Sequence, residues 1–204
     1  MTFTIWLSLL MVCMLGAMSP GPSLAVVAKH SLSGGRLHGI VASWAHALGV
    51  GLYALLTLLG LAVVLKESPM VFSVITYAGA AYLAYLGVNA LRSKGGVAAK
   101  LTAGEPTSLW VAARDGAMIS LLNPKLALFF LALFSQFVAV GTDLTSRAAI
   151  VATPMMVDSL WYTFIAFVLS SPKVFDKLRT KAQRIDQLSG VVLILLALRV
   201  VIQA

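Results

Sequence analysis

Met18-Ser19-Pro20-Gly21-Pro22 interrupts an apolar run that carries no charge between Met1 and Lys29. Each proline removes a backbone N–H and leaves a carbonyl one turn upstream without its helical partner. In hydrocarbon such orphaned groups cost several kcal/mol, so the turn must be buried in protein or line a wet cavity. Discontinuous helices of this kind hold the substrate in secondary transporters. A second interruption, Leu122-Asn123-Pro124-Lys125, falls about half a chain later inside another apolar run. A lone proline in a membrane helix is usually only a kink. Two breaks in matching places point to a site.

Composition agrees with a membrane setting. The 204 residues are 60% hydrophobic and 11% charged, against about 25% charged in ordinary soluble domains, and the mean hydropathy is +0.95. The sequence predicts an all-α integral membrane protein with six spans, near residues 4–28, 39–65, 70–91, 116–140, 148–170 and 188–202. The first is expected to be a retained span, because no basic segment precedes it. Residues 1–204 read as one transport domain. Its pseudo-repeats cover about 1–95 and 110–204, joined by a linker near 92–114 that holds Lys94-Gly95-Gly96, Lys100 and Gly104.

The net charge of +8 is a topology signal rather than a nucleic-acid face. Eleven Lys and Arg residues lie in the first, third and fifth loops, among them Lys173, Lys177, Arg179, Lys181 and Arg184. The second and fourth loops hold Lys66 and Arg147. The positive-inside rule then puts Lys100 and Lys181 in the cytoplasm and both termini, Thr2 and Ala204, outside. Three spans per half is an odd number, so the halves are expected as inverted repeats with breaks in spans 1 and 4, Pro20 overlying Pro124.

Depth narrows the candidates. At about 1.5 Å per residue, Lys125 lies roughly 15 Å in from Asp115, Asp158 roughly 16 Å in from Arg147, and Pro20 roughly 13 Å in from Lys29. In a hydrocarbon core about 30 Å thick these meet near the midplane. Asp158 reads as the only carboxylate well inside a span, and such a group is functional by default. It would carry a proton, bind a substrate amine, or form a structural ion pair with Lys125. Lys125 would otherwise receive a substrate carboxylate. Asn123 offers donor and acceptors, or merely caps its helix. Trp161 and Tyr162 follow Asp158 at i+3 and i+4, Trp161 as a candidate pocket wall. His46, inside span 2, is the second candidate for proton coupling or a satisfied interior histidine. The substrate-binding set expected from these readings is Ser19, Pro20, Gly21, Pro22, Asn123, Pro124, Lys125, Asp158 and Trp161.

Other classes lose ground on the same residues. Cys13 and three scattered histidines provide no metal-ligand cluster, and no P-loop pattern provides a nucleotide site, so no cofactor is expected. An intramembrane enzyme would need a second acid or a Ser/His pair at a supporting spacing, and neither is evident. A channel or a purely structural membrane protein stays open, as does a homo-oligomer.

Several motifs together give the chain a family likeness: Ser19-Pro20-Gly21-Pro22, Gly35-Arg36-x-x-Gly39, the run from Gly79 to Gly87, Asn123-Pro124-Lys125 with Phe129-Phe130, and Gln136-Phe137. In these it resembles the lysine exporter (LysE/RhtB) family over nearly its whole length. The resemblance implies six spans in a bacterial inner membrane and export of amino acids or relatives such as homoserine lactone, usually coupled to protons. Two positions depart from the pattern. Ser135 stands where relatives often carry a proline, and Val50 follows Gly49 where many carry a polar residue.

Overall fold

The computed structural model describes residues 1–93, 105–141, 143–170 and 180–203. Lys94-Gly95-Gly96, Lys100, Gly104, Lys173, Lys177, Arg179 and Ala204 lie outside these. The described residues form eight helices and no strand. Helix α1 (Phe3–Met18) starts where the Thr2 hydroxyl accepts from the Ile5 N–H, and stops at the first break. Gly21, in extended conformation, leads into α2 (Pro22–Gly34), with Pro22 in the first turn where its missing N–H costs nothing. The two axes differ by 61°. Gly35, at φ +80°, turns the chain into α3 (Arg36–Glu67), a conformation that suits glycine. Only Ser68 separates α3 from α4 (Pro69–Leu91), which again opens on a proline.

The second half repeats this plan. Ser108 caps α5 (Leu109–Leu121), Asn123 caps α6 (Pro124–Val138), and the pair is bent by 49°. Asp143 caps α7 (Leu144–Leu169), and α8 (Ala182–Gln203) ends the chain. The Ser146 hydroxyl and backbone N–H hold the Asp143 carboxyl below the usual carboxylate range. Helices α3, α4, α7 and α8 are long and apolar enough to cross a membrane. With each bent pair taken as one span the count is six.

Packing interleaves the halves. Helix α3 lies against α5 and α7, α1 against α7, and α4 against α6 and α8. Each long helix of one half therefore meets its counterpart in the other. A core of Leu9, Leu58, Leu83, Phe130 and Phe134 joins α1, α3, α4 and α6. Leu48, Leu52, Leu59, Leu160, Phe164 and Leu195 form an exposed apolar face on the long helices, which suits lipid.

Some expectations need correction. The proline equivalent to Pro124 in position is Pro22, not Pro20, since both open the second limb of a bent pair. Helix α5 begins at Leu109, inside the expected linker, because Ser108 supplies a cap that accepts from Val111 N–H. Helix α8 begins before residue 188 and so contains Asp186, which is 6% exposed. Asp115 lies within α5. The described helices thus carry four carboxylates: Glu67 ends α3, Asp115 and Asp186 lie towards the starts of their spans, and Asp158 remains the one well inside a span.

Glycines set how closely the helices cross. A Cβ on Gly87 would sit 2.8 Å from the Gly190 carbonyl, and one on Gly190 would sit 2.6 Å from the Gly87 carbonyl. A Cβ on Gly116 would overlap the Ala42 backbone carbonyl across the α3–α5 contact, whereas one on Gly60 meets nothing within 4 Å. Gly116→Ala is therefore expected to destabilise by about 1–3 kcal/mol through overpacking. Gly60→Ala should be neutral or stabilising by up to about 1 kcal/mol through helix propensity. Melting curves of the two variants in detergent test this, and equal midpoints would contradict the close crossing.

Candidate functional site

The two breaks meet. The backbone leaves helical geometry between Met18 and Pro22, so the Ser19 and Pro20 carbonyls belong to neither helix and are left for other partners. Lys125, in the first turn of α6, takes them: its Nζ donates to Ser19 O at 2.8 Å, Ser19 Oγ at 2.8 Å and Pro20 O at 3.3 Å. Asn123 Oδ1 accepts from the Lys125 backbone N–H at 3.0 Å, which fixes the start of α6. Gly21 leaves room for the ammonium, since a Cβ there would stand 3.3 Å from Nζ. The second break thus fills the first with a positive charge.

Asp158 belongs to a different chain of contacts. One turn after Pro154 on α7, its Oδ2 lies 2.6 Å from His46 Nδ1 of α3. His46 Nε2 lies 2.8 Å from Ser23 Oγ of α2, and Asn123 Nδ2 donates to the same hydroxyl at 3.2 Å. Asp158, His46, Ser23 and Asn123 are all buried. The Tyr162 ring meets the His46 ring edge-on, with centroids 5.4 Å apart. With Nδ1–H donated to the Asp158 carboxylate, Nε2 accepts from the Ser23 hydroxyl, so neither ring nitrogen is left unpaired.

These groups line a cavity of about 50 Å³, together with Cys13, Gly16, Phe129 and Phe130. A water needs about 10–15 Å³ by this measure, so the space suits a few waters and is too small for an amino acid. Phe129 closes it against α1: a Cβ on Gly16 would meet the ring at 2.6 Å or less. In this conformation the cavity is contracted.

Of the expected residues, Ser19, Gly21, Asn123, Lys125, Asp158 and His46 line this cavity. Pro22 and Pro124 open α2 and α6 beside it. Pro20 and Trp161 line a separate apolar crevice with Phe164 and Leu188. Helix geometry accounts for the difference between Trp161 and Tyr162. At about 100° per residue, i+4 lies about 40° to one side of Asp158 and i+3 about 60° to the other. Tyr162 faces the cavity and Trp161 does not. The Lys125–Asp158 ion pair is absent among the described residues, because His46 serves the carboxylate and the break carbonyls serve the ammonium.

Sequence reasoning missed Ser23, which joins His46 to Asn123, and so missed that a Ser/His pair exists; the two are 23 residues apart. Its position just after Pro-Gly-Pro was the available signal. It also missed two satellite clusters. His30, fully buried, sits 3.1 Å from Asp115, which also meets Lys29 at 3.5 Å and Arg114 at 3.3 Å and so ties α2 to α5. Asp186 accepts from Ser93 Oγ at 2.5 Å and ties α8 to the end of α4.

The model of a family described as LysE type translocator matches residues 14–204. The chain is 28% identical to the uncharacterized membrane protein YrhP of Bacillus subtilis over 86% of its own length and 88% of the relative's. It is 36% identical to the uncharacterized membrane protein PA4757 of Pseudomonas aeruginosa, covering 72% and 71%. It is 27% identical to the threonine efflux protein of Escherichia coli, covering 91% and 92%. No solved structure matches.

Proposed function

The chain belongs to the LysE type translocator family, and on that premise we infer that it is a secondary exporter of neutral amino acids or related small zwitterions, coupled to protons. One observation carries the reading: a cationic Lys125 and a buried Asp158–His46 pair line one cavity at the junction of two broken helices. A zwitterion needs a positive partner for its carboxylate and a negative one for its amine. The substrate carboxylate displaces the Ser19 and Pro20 oxygens from Lys125, and its amine binds at the Asp158 carboxylate. A proton arriving from outside on the Asp158–His46 pair weakens the hold on the amine and releases the solute. The carbonyls freed at the first break then take Lys125 back.

The protein sits in the bacterial cytoplasmic membrane with both termini outside on this reading, since the basic loops favour the cytoplasm. The relative named for threonine efflux makes L-threonine the first solute to test. Proteoliposomes loaded with labelled L-threonine, L-alanine, L-homoserine or L-lysine should show saturable efflux of at least one neutral amino acid, accelerated when the outer medium is made acid. Ion conductance without saturable efflux would indicate a channel instead.

A second reading has its own observation. Asp158, His46 and Ser23 stand in the order of a serine hydrolase relay. Against it, Ser23 Oγ also accepts from Asn123 Nδ2, so Ser23 is held as a bridge between His46 and Asn123 and one of its two lone pairs is occupied. A fluorophosphonate probe should leave Ser23 unmodified; covalent labelling there would favour the hydrolase.

A further inference from the structure

A second polar pocket lies on the Met1 side of the cavity, between the same two helices that wall it. Thr4, Ile5 and Ser8 of α1, Gln136 and Phe137 of α6, Val140 just beyond it and Arg199 of α8 line an open groove of about 360 Å³, a space fit for an amino acid. The Arg199 guanidinium donates to Ser8 Oγ. Both polar atoms of the Gln136 side chain are buried and have no partner in the structure, although Gln136 lines the pocket. A buried amide in that condition calls for a specific reason. Gln136-Phe137 is also one of the motifs that the central cavity leaves unused.

Position and charge say what such a pocket takes. Gln136 is eleven residues beyond Lys125 on α6, and Ser8 is eleven residues before Ser19 on α1, so each is roughly 16 Å away along the helix. That is about half the hydrocarbon thickness, which places the pocket near the membrane boundary. Leu9 and Val12 of α1, with Phe130, Leu133 and Phe134 of α6, each 0–1% exposed, fill the interval. The Met1 ammonium, 2.8 Å from Ser146 Oγ, and Arg147, bound to the Gly141 carbonyl at 2.8 Å, add positive charge at this end, and Asp143 offsets part of it. A guanidinium fork beside an amide donor and hydroxyls suits an oxyanion.

We propose that this pocket is an exit site that receives the carboxylate of the exported solute after it leaves Lys125. The assignment rests on the export reading above. When the apolar residues between α1 and α6 part, the carboxylate passes from one cation to the next, and the Gln136 amide gains the partner it lacks. A lipid phosphate has the same oxyanion chemistry, and the test separates the two.

The test uses reconstituted full-length protein with labelled L-threonine on one side at a time. Gln136→Leu and Arg199→Gln are expected to raise the half-saturation concentration on the Met1 side by about tenfold or more and to leave the opposite side within about twofold. Gln136→Glu, nearly isosteric, should weaken the Met1 side further by repelling a carboxylate. It keeps the test valid if the leucine variant folds poorly, as judged by gel filtration. Unchanged half-saturation on both sides overturns the exit site. So does an unchanged flux together with loss of the stabilisation that phosphatidylglycerol gives over phosphatidylcholine, since the pocket would then hold lipid. A wild-type protein without amino-acid flux defeats the export reading itself, and the exit site with it, before any variant is compared.

Discussion

Asp158→Asn is expected to cut proton-driven export about 100-fold or more, the scale of a buried charged pair broken on one side, about 3–5 kcal/mol. Asparagine keeps the shape of the side chain but takes up no proton, and His46 loses the anion 2.6 Å from its Nδ1. Exchange of labelled for unlabelled amino acid needs no net proton movement and should survive at a reduced rate, because Lys125 and the cavity walls remain. Asp158→Glu should keep part of the coupled activity with a displaced pH profile. His46→Gln should mimic the asparagine variant. The double variant should then be no worse than the weaker single one, as for two members of one unit. All four proteins can be measured in one proteoliposome series under an imposed pH step. Export by Asp158→Asn at the wild-type rate would remove Asp158 as the proton carrier.

Lys125→Met is expected to abolish recognition of the carboxylate while leaving a folded, weakly transporting protein. A charge-assisted hydrogen bond contributes about 1.5–3 kcal/mol, so the half-saturation concentration should rise roughly 10- to 150-fold. The sharper readout is selectivity. Wild-type protein should prefer an amino acid over its amide by a similar factor, and the methionine variant should not distinguish them. A stability loss should accompany the change, because Ser19 O and Pro20 O would lose the donor that now serves both. Lys125→Arg keeps the charge, but its wider fork must fit where a Cβ on Gly21 would already stand 3.3 Å from Nζ, so partial activity is the expected outcome. Retained preference for the acid in Lys125→Met would place carboxylate recognition elsewhere.

Much of the architecture is legible in the sequence because hydrocarbon imposes simple rules. Long apolar runs become spans, and prolines in such runs become breaks. Helix ends are less legible: Arg114-Asp115 reads as loop, yet Ser108 caps a helix through it and Asp115 finds Lys29 and His30 on α2. Within the site, counting residues along helices brings Lys125, Asp158 and the first break to one height. Height along the membrane normal says nothing about rotation around each axis. That rotation decides that Tyr162 faces the cavity and Trp161 does not, and that Asp158 meets His46 rather than Lys125. Ser23 was invisible for the same reason, since its partners come from α3 and α6.

Lys125 and the Ser19 carbonyl it holds are 106 residues apart in the chain. Ribosomes add about 5–20 residues per second, so the first break waits roughly 5–20 s after synthesis before its cation exists. Through that interval the nascent chain presents bare Ser19 and Pro20 carbonyls, which only water or the insertion machinery can satisfy. Emergence of the second break ends this exposure. Biogenesis therefore has a defined window in which the first break lacks its cation, and a chain truncated before Lys125 never closes it.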